Sequence, residues 1–239
     1  MRILVCVKRV PLTGGKMVLT ADEQALETRH LGFTISPHEE CGVEEAVRIV
    51  EQHGGSSTVL TLGPAEAEEQ LRDTLAIGID RAIHLVTDGA DWDPEATADA
   101  LVEAIRAEQA AGTDPDLIVF GNESADSGNY QVGIRVAHAL GRPCVTGLKG
   151  VGVHDGRVRC EREAGSGRDV RGARADRHGL DGLAARVAAC ERQRLERELV
   201  GLAARVLHED EHHHAAPRSP SRSLARGADP CTITPLPAS

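Results

Sequence analysis

Ile3-Leu-Val-Cys-Val7 is an unbroken apolar run rich in β-branched residues, and Lys8-Arg-Val-Pro11 follows it. A run without polar alternation predicts a strand buried on both faces near the centre of a sheet, ending in a polar loop. Met17 to Thr20 is a candidate small strand. At Ser36-Pro-His-Glu39 an N-cap residue, a proline at N1 and a glutamate at N3 stand in capping-box order, which predicts a helix start. Val43, Ala46, Val47 and Val50 then fall on one stripe, and Gly54-Gly55 supplies the stop.

The rhythm repeats. Thr58 to Leu62 reads as a strand, Gly63-Pro64 opens an Ala/Glu-rich helix to about Ile77, and Ala82 to Val86 reads as the next strand. A helix from about Pro94 to Ala111 leads to a strand at Leu117 to Phe120. A Gly/Asn/Ser/Asp loop, a helix to about Leu140 and a strand at Cys144 to Thr146 follow. Alternation of this kind predicts an α/β fold with an open, mainly parallel sheet and helices on both faces. Asp155-Gly156, between the short alternating runs from Val151 and up to Cys160, predicts an antiparallel hairpin.

Beyond Val170 no strand pattern is visible. One helix is predicted from Leu195, Leu199, Leu202 and Val206 on a common face, and a Pro/Ser/Arg end from about Ala215 predicts disorder. The chain thus divides into an α/β domain at 1–170 and an atypical, irregular Arg/Ala/Pro-rich tail at 171–239. Charge marks the same point: Lys plus Arg against Asp plus Glu is 16 to 28 up to Val170, and 11 to 9 after it. The tail contains no lysine, and its abrupt change of composition suggests a reading-frame change near residue 170.

A formal net charge of −10 argues against a nucleic-acid binder, which needs a basic footprint, and disfavours an anionic membrane surface. No stretch approaches membrane-spanning length and no export signal is visible, so a cytoplasmic protein is expected. The six cysteines lie far apart with no C-x-x-C pair, which fits reduced thiols.

Ligands of an open α/β sheet sit beyond the carboxyl ends of the strands. Three segments qualify: the loop from Cys6 to Arg9, the helix start at Ser36 to Glu39, and the stretch Gly121 to Gly133. The last has small residues that let backbone approach a ligand, and it runs into a helix whose free N–H groups favour phosphate. A plain structural turn explains such a loop equally well.

Met1 to Val10, Ser36 to Arg48, Leu71 to Ile83, Asp116 to Gly121 and Asp126 to Gly133 together resemble, in order, the beta subunit of electron transfer flavoprotein. The resemblance implies a Rossmann-like fold of the adenine nucleotide alpha hydrolase type. It also implies an electron carrier, not an enzyme, that pairs with an alpha subunit, helps hold FAD, buries a structural AMP and receives electrons from flavin-dependent dehydrogenases. Carried over residue by residue, the AMP site comprises Cys6, then Ser36, Pro37, His38 and Glu39, then Leu62. Asp126, Ser127, Gly128, Asn129, Tyr130, Gln131, Val132, Gly133, Ile134, Arg135, Val136 and Ala137 complete it. Two departures matter: Ser36 stands where the family commonly has Asn, and Asp126 to Gln131 replaces an Asp-Asp-Asp-x-Asn-Gln run. The later strands and the Pro-Arg-Tyr segment of the family are not visible after Val170.

Other patterns have plainer readings. His208-Glu-Asp-Glu-His212 matches H-E-x-x-H, but no downstream glutamate offers a third ligand, so adventitious metal binding by a solvated cluster is the expectation. Glu39, Glu40, Glu44 and Glu45 read as a solvated, dipole-complementing helix face. Cys6 reads as a packed thiol, not a nucleophile, and Tyr130 as either a stacking ring or a shield for the helix start. A rival reading, an ATP-using enzyme of the same architecture, needs a Ser-Gly-Gly-type loop after the first strand, and Lys8 to Gly15 does not supply one. A second rival is a nucleotide-sensing module without a redox partner.

Overall fold

A computed structural model of the chain describes residues 1–12, 14, 16–164, 167–174, 183–187 and 232–236. In chain order the elements are β1 (Arg2–Val7), β2 (Val10–Pro11), β3 (Phe33–Thr34), α1 (Pro37–His53), β4 (Ser56–Gly63), α2 (Glu68–Ile77), β5 (Arg81–Val86) and α3 (Pro94–Ala110). Then come β6 (Leu117–Gly121), α4 (Val132–Ala139), β7 (Cys144–His154), β8 (Arg157–Ala164), β9 (Gly167–Arg174), β10 (Leu183–Val187) and β11 (Thr232–Leu236). The main sheet has the order β11-β5-β4-β1-β6-β10-β7-β8-β9, parallel from β5 through β7 and antiparallel at both margins.

Side-chain alternation along β1 explains the layering. Ile3, Val5 and Val7 point to one face, where Val43, Ala46 and Ile49 of α1 and Leu71 of α2 bury them. Leu4 and Cys6 point to the other, against Leu101, Val102 and Ile105 of α3 and Val136 of α4. Polar groups at the N-terminal edges are satisfied locally: Ser57, fully buried, donates its N–H to the Asp80 carboxylate at 2.7 Å. Asp93 caps α3 through the N–H groups of Glu95 and Ala96.

Between Met1 and Leu140 the strands and helices expected from periodicity, Met17 to Thr20 apart, are found with small changes at their ends. The second helix begins as a 3₁₀ turn at Ala65–Ala67 before α2. Asp155 and Gly156 both have positive φ and turn the hairpin between β7 and β8.

Four expectations are corrected. Met17 to Thr20 is not a strand: among the described residues it makes a single antiparallel bridge, Leu19 to Leu26, in an exposed excursion. The short strand at Cys144 and the first arm of the hairpin are one strand, β7, bent where Gly147 takes φ +67° and the register shifts between Leu148 and Gly150. Glu39 and Glu45 are not solvated: they are 5% and 9% exposed, and Arg48 bonds both the Glu45 carboxylate and the Val151 carbonyl.

The fourth correction concerns the tail. Strands do occur beyond Val170: β9 runs on to Arg174, β10 fills the slot between β6 and β7, and β11 pairs antiparallel with β5. Leu183-Ala-Ala-Arg-Val187 has little strand propensity of its own, and backbone partners on both sides supply what propensity does not. In β11 the proline at 235 is tolerated because the strand lies at the sheet edge. The helix expected around Leu195 to Val206 and the HExxH match at His208 to His212 lie outside the described residues.

Candidate functional site

Sheet order places the site. From β1 the chain passes through α1 to β4 on one side, whereas β6, on the other side of β1, leads into α4 on the opposite face. Connections that diverge from two adjacent strands leave a crevice beyond their carboxyl ends. A cavity occupies this position. Its walls are the end of β1 with Lys8 and Arg9, the end of β4 from Leu62 to Pro64, the β5–α3 loop with Thr87 and Gly89 to Trp92, and the β6–α4 loop.

Two glycines let the walls come together. A Cβ on Gly121 would lie 2.6 Å from Cγ of Glu39, so only glycine at the end of β6 admits the start of α1 this close. A Cβ on Gly133 would lie 3.0 Å from the Phe120 ring, so the first turn of α4 rests directly on that ring.

The N-terminus of α4 opens at the cavity. Gln131, at the N-cap position, makes no capping hydrogen bond; its side-chain oxygen accepts instead from Arg135 Nε at 3.2 Å. The first N–H groups of this helix carry the positive end of its dipole. At α1 the arrangement differs. Ser36 N–H donates to Glu39 Oε2 at 3.1 Å, and the Ser36 hydroxyl donates to the Glu123 carbonyl at 3.1 Å, tying the helix start to the β6–α4 loop.

That loop is wired internally. Lys8 Nζ donates to Asp126 Oδ2 at 2.5 Å, Ser127 N–H donates to Asp126 Oδ1 at 2.7 Å, and the hydroxyls of Ser124 and Ser127 lie 2.9 Å apart. Burial alone would raise the Asp126 carboxyl, but the Lys8 ammonium and these donors hold it below the usual carboxylate range. Glu39 at the cavity floor behaves oppositely. Burial pushes its carboxyl from 4.5 up to about 8 and the Asp126 charge adds to this, against the pull of the Lys8 and Ser36 donors. At neutral pH it is mostly a protonated acid, able to donate as well as accept a hydrogen bond. Burial also pushes the Cys6 thiol upward, reinforced by Glu39, so no thiolate forms there near neutral pH.

Of the residues singled out from the sequence, Cys6, Glu39, Leu62, Ser127, Asn129, Tyr130, Gln131, Val132 and Gly133 line this one cavity. Others stand behind it. Ser36 is buried and holds the loop; His38 Nδ1 lies 3.9 Å from the Glu123 carboxylate; Asp126 anchors Lys8. Val136 and Ala137 are packed in the core, Ile134 is 45% exposed, and Arg135 faces Glu95 at 3.7 Å. Pro37 is the first residue of α1, and Gly128, at φ +58°, turns the loop. The sequence reading missed the β5–α3 wall. Its signal was the lone tryptophan, Trp92, in a loop at a strand's carboxyl end.

Tyr130 has φ +57°. A bulky residue in the left-handed region costs on the order of 1 kcal/mol or more and persists only where its surroundings hold it.

An open, mainly parallel sheet with helices on both faces and a glycine-pinched crevice beyond the carboxyl ends of its strands defines the class: a Rossmann-like α/β protein. Within that class the chain belongs to the electron transfer flavoprotein domain family, whose model matches residues 25–178. It is 36% identical over 171 residues to "Electron transfer flavoprotein subunit beta" of Mycobacterium tuberculosis H37Rv, covering 69% of this chain and 63% of that protein. The Bacillus subtilis protein of the same name is 31% identical over 165 residues, 68% of this chain and 62% of the relative. "Protein FixA" of Azorhizobium caulinodans is 36% identical over 143 residues, 59% and 50% of the two chains. The chain thus spans less than two thirds of the length of these curated relatives.

Among the described residues no helix is long and apolar enough to cross a membrane, and no group of three or more His, Cys, Asp or Glu side chains is placed to hold a metal ion.

Proposed function

We propose that this chain is the nucleotide-binding beta half of a heterodimeric electron carrier, receiving electrons from flavin-dependent dehydrogenases and passing them on. It binds AMP in the crevice between β1 and β6 and, with an alpha subunit, contributes to an FAD site. It is a cytoplasmic protein and turns over no substrate of its own. The observation that carries this reading is the convergence of Cys6, Glu39, Leu62, Ser127 and the residues from Asn129 to Gly133 on one switch-point cavity. They come from four separate stretches of a chain that belongs to this family.

The cavity suits a nucleotide in its details. The uncapped start of α4 offers N–H groups to a phosphate, and Lys8 lines the same cavity. The protonated Glu39 carboxyl at the floor offers a neutral partner to a base or ribose, without a negative charge that would repel an anion. The flavin supplies the redox chemistry when bound, while the protein's part is placement and electrostatics. Residues that would touch FAD belong in part to the partner.

Two measurements test the reading. Nucleotide released on denaturing the purified chain is expected to be AMP, with no turnover when ATP is supplied. Co-expression with an electron transfer flavoprotein alpha subunit is expected to yield a yellow complex. ATP hydrolysis by the purified chain, or a colourless product with no alpha subunit attached, overturns it.

A further inference from the structure

The chain contains only four aromatic residues: two Phe, one Tyr and one Trp. Three of them, Trp92, Phe120 and Tyr130, line the crevice. Phe120 is 5% exposed, and its ring supports Gly133 at the start of α4, so packing accounts for it. Tyr130, by contrast, is 48% exposed and sits in a strained backbone conformation. Asn or Gly would take that conformation with less strain. Trp92 comes from a different loop whose backbone is fixed on both sides. Its carbonyl accepts from the Thr97 hydroxyl at 3.5 Å, and Asp93, the next residue, caps α3.

Two loops thus present the chain's tryptophan and tyrosine to one cavity. The cavity's uncapped helix start suits a phosphate, but a phosphate gives an aromatic ring nothing to contact. An exposed aromatic face gains free energy by stacking on another flat ring. We infer that Trp92 and Tyr130 are specificity-determining residues that stack on the flat heteroaromatic ring of the bound nucleotide, so that the site selects for a base and not merely for a sugar phosphate. This rests on the reading of the crevice as a nucleotide site. The ring is that of a purine; the isoalloxazine ring of a flavin shares the chemistry, and the experiment separates the two.

Trp92 is the sole tryptophan of the chain, so intrinsic emission reports on this position alone. The full chain, freed of nucleotide, is titrated with AMP, FMN and ribose 5-phosphate by calorimetry and, for AMP and ribose 5-phosphate, by tryptophan emission in parallel. AMP is expected to bind and quench Trp92, whereas ribose 5-phosphate binds at least about tenfold more weakly and leaves the emission unchanged. Tyr130→Asn relieves the backbone while removing the ring, and is expected to weaken AMP about tenfold without loss of stability. Tyr130→Phe and Trp92→Phe keep a stacking face and bind as the parent does.

AMP binding without any change in Trp92 emission overturns the inference. So does equal affinity of Tyr130→Asn, Trp92→Ala and the parent, or equal affinity for AMP and ribose 5-phosphate. Tighter binding of FMN than of AMP overturns the purine assignment. Absence of binding by every ligand overturns the nucleotide reading, and this inference with it.

Discussion

Glu39 sits at the floor of the crevice, 5% exposed, with its carboxyl pushed from 4.5 to about 8 by burial. In the unfolded chain the group releases its proton near 4.5, whereas the native protein holds that proton up to about 8. Between these values the native state binds more protons than the unfolded state, so stability falls as pH rises through the window and levels off above it. Each pH unit costs about 1.4 kcal/mol, so Glu39 lowers stability by about 3 kcal/mol at pH 7, approaching about 5 kcal/mol above pH 8. Against a total stability of about 5 to 15 kcal/mol this is a large term.

Glu39→Gln isolates it. The amide oxygen can still accept from Ser36 N–H, as glutamine does in a capping box, but the group no longer titrates. Urea unfolding followed by circular dichroism at pH 5, 6, 7 and 8 is expected to show the variant gaining on the parent by about 3 to 4 kcal/mol across that range. Other titrating groups contribute to both proteins and cancel in the difference. Parallel pH profiles for variant and parent would refute the reasoning, because they would mean that Glu39 is ionised in the native protein.

Gly121→Ala places a methyl group 2.6 Å from Glu39 Cγ, at the join of β6 and α1. It should destabilise by about 1 to 3 kcal/mol, read as a lowered urea midpoint, while an unchanged midpoint would mean that the two elements separate freely. Asp80→Ala removes the acceptor of the buried Ser57 N–H and should cost about 1 to 3 kcal/mol in the same assay, with Asp80→Asn recovering part of it. Ala185→Pro removes an N–H from β10, which has strands on both sides, and should lower the midpoint clearly. An unchanged midpoint would mean that this segment of the tail adds nothing to the sheet.

Much of the molecule could be read from local chemistry. The apolar run from Ile3 to Val7, the Ser36-Pro37-His38-Glu39 helix start and the stripe through Val43, Ala46 and Val50 each declare their element within a few residues, because burial and capping act at that range. The same holds for the Asp155-Gly156 turn. The sequence by itself therefore determined the β-α-β succession, the family resemblance and the three segments that could approach a ligand. Its reading of the tail erred where Leu183 to Val187 joins the sheet, since a strand of weak propensity is stabilised by neighbours that are distant in the chain.

Only the tertiary structure decided what Glu39 and Trp92 are. In sequence Glu39 is one of several helix glutamates, and complementing the helix dipole is a sufficient account of it. Its burial depends on Gly121, far along the chain, leaving space for it, and its protonation follows from that burial. Trp92 is one residue in a loop until the order β5-β4-β1-β6 brings that loop round to the mouth of the crevice. Desolvation and shared access to a cavity are properties of a closed surface, and a linear pattern of residues does not contain them.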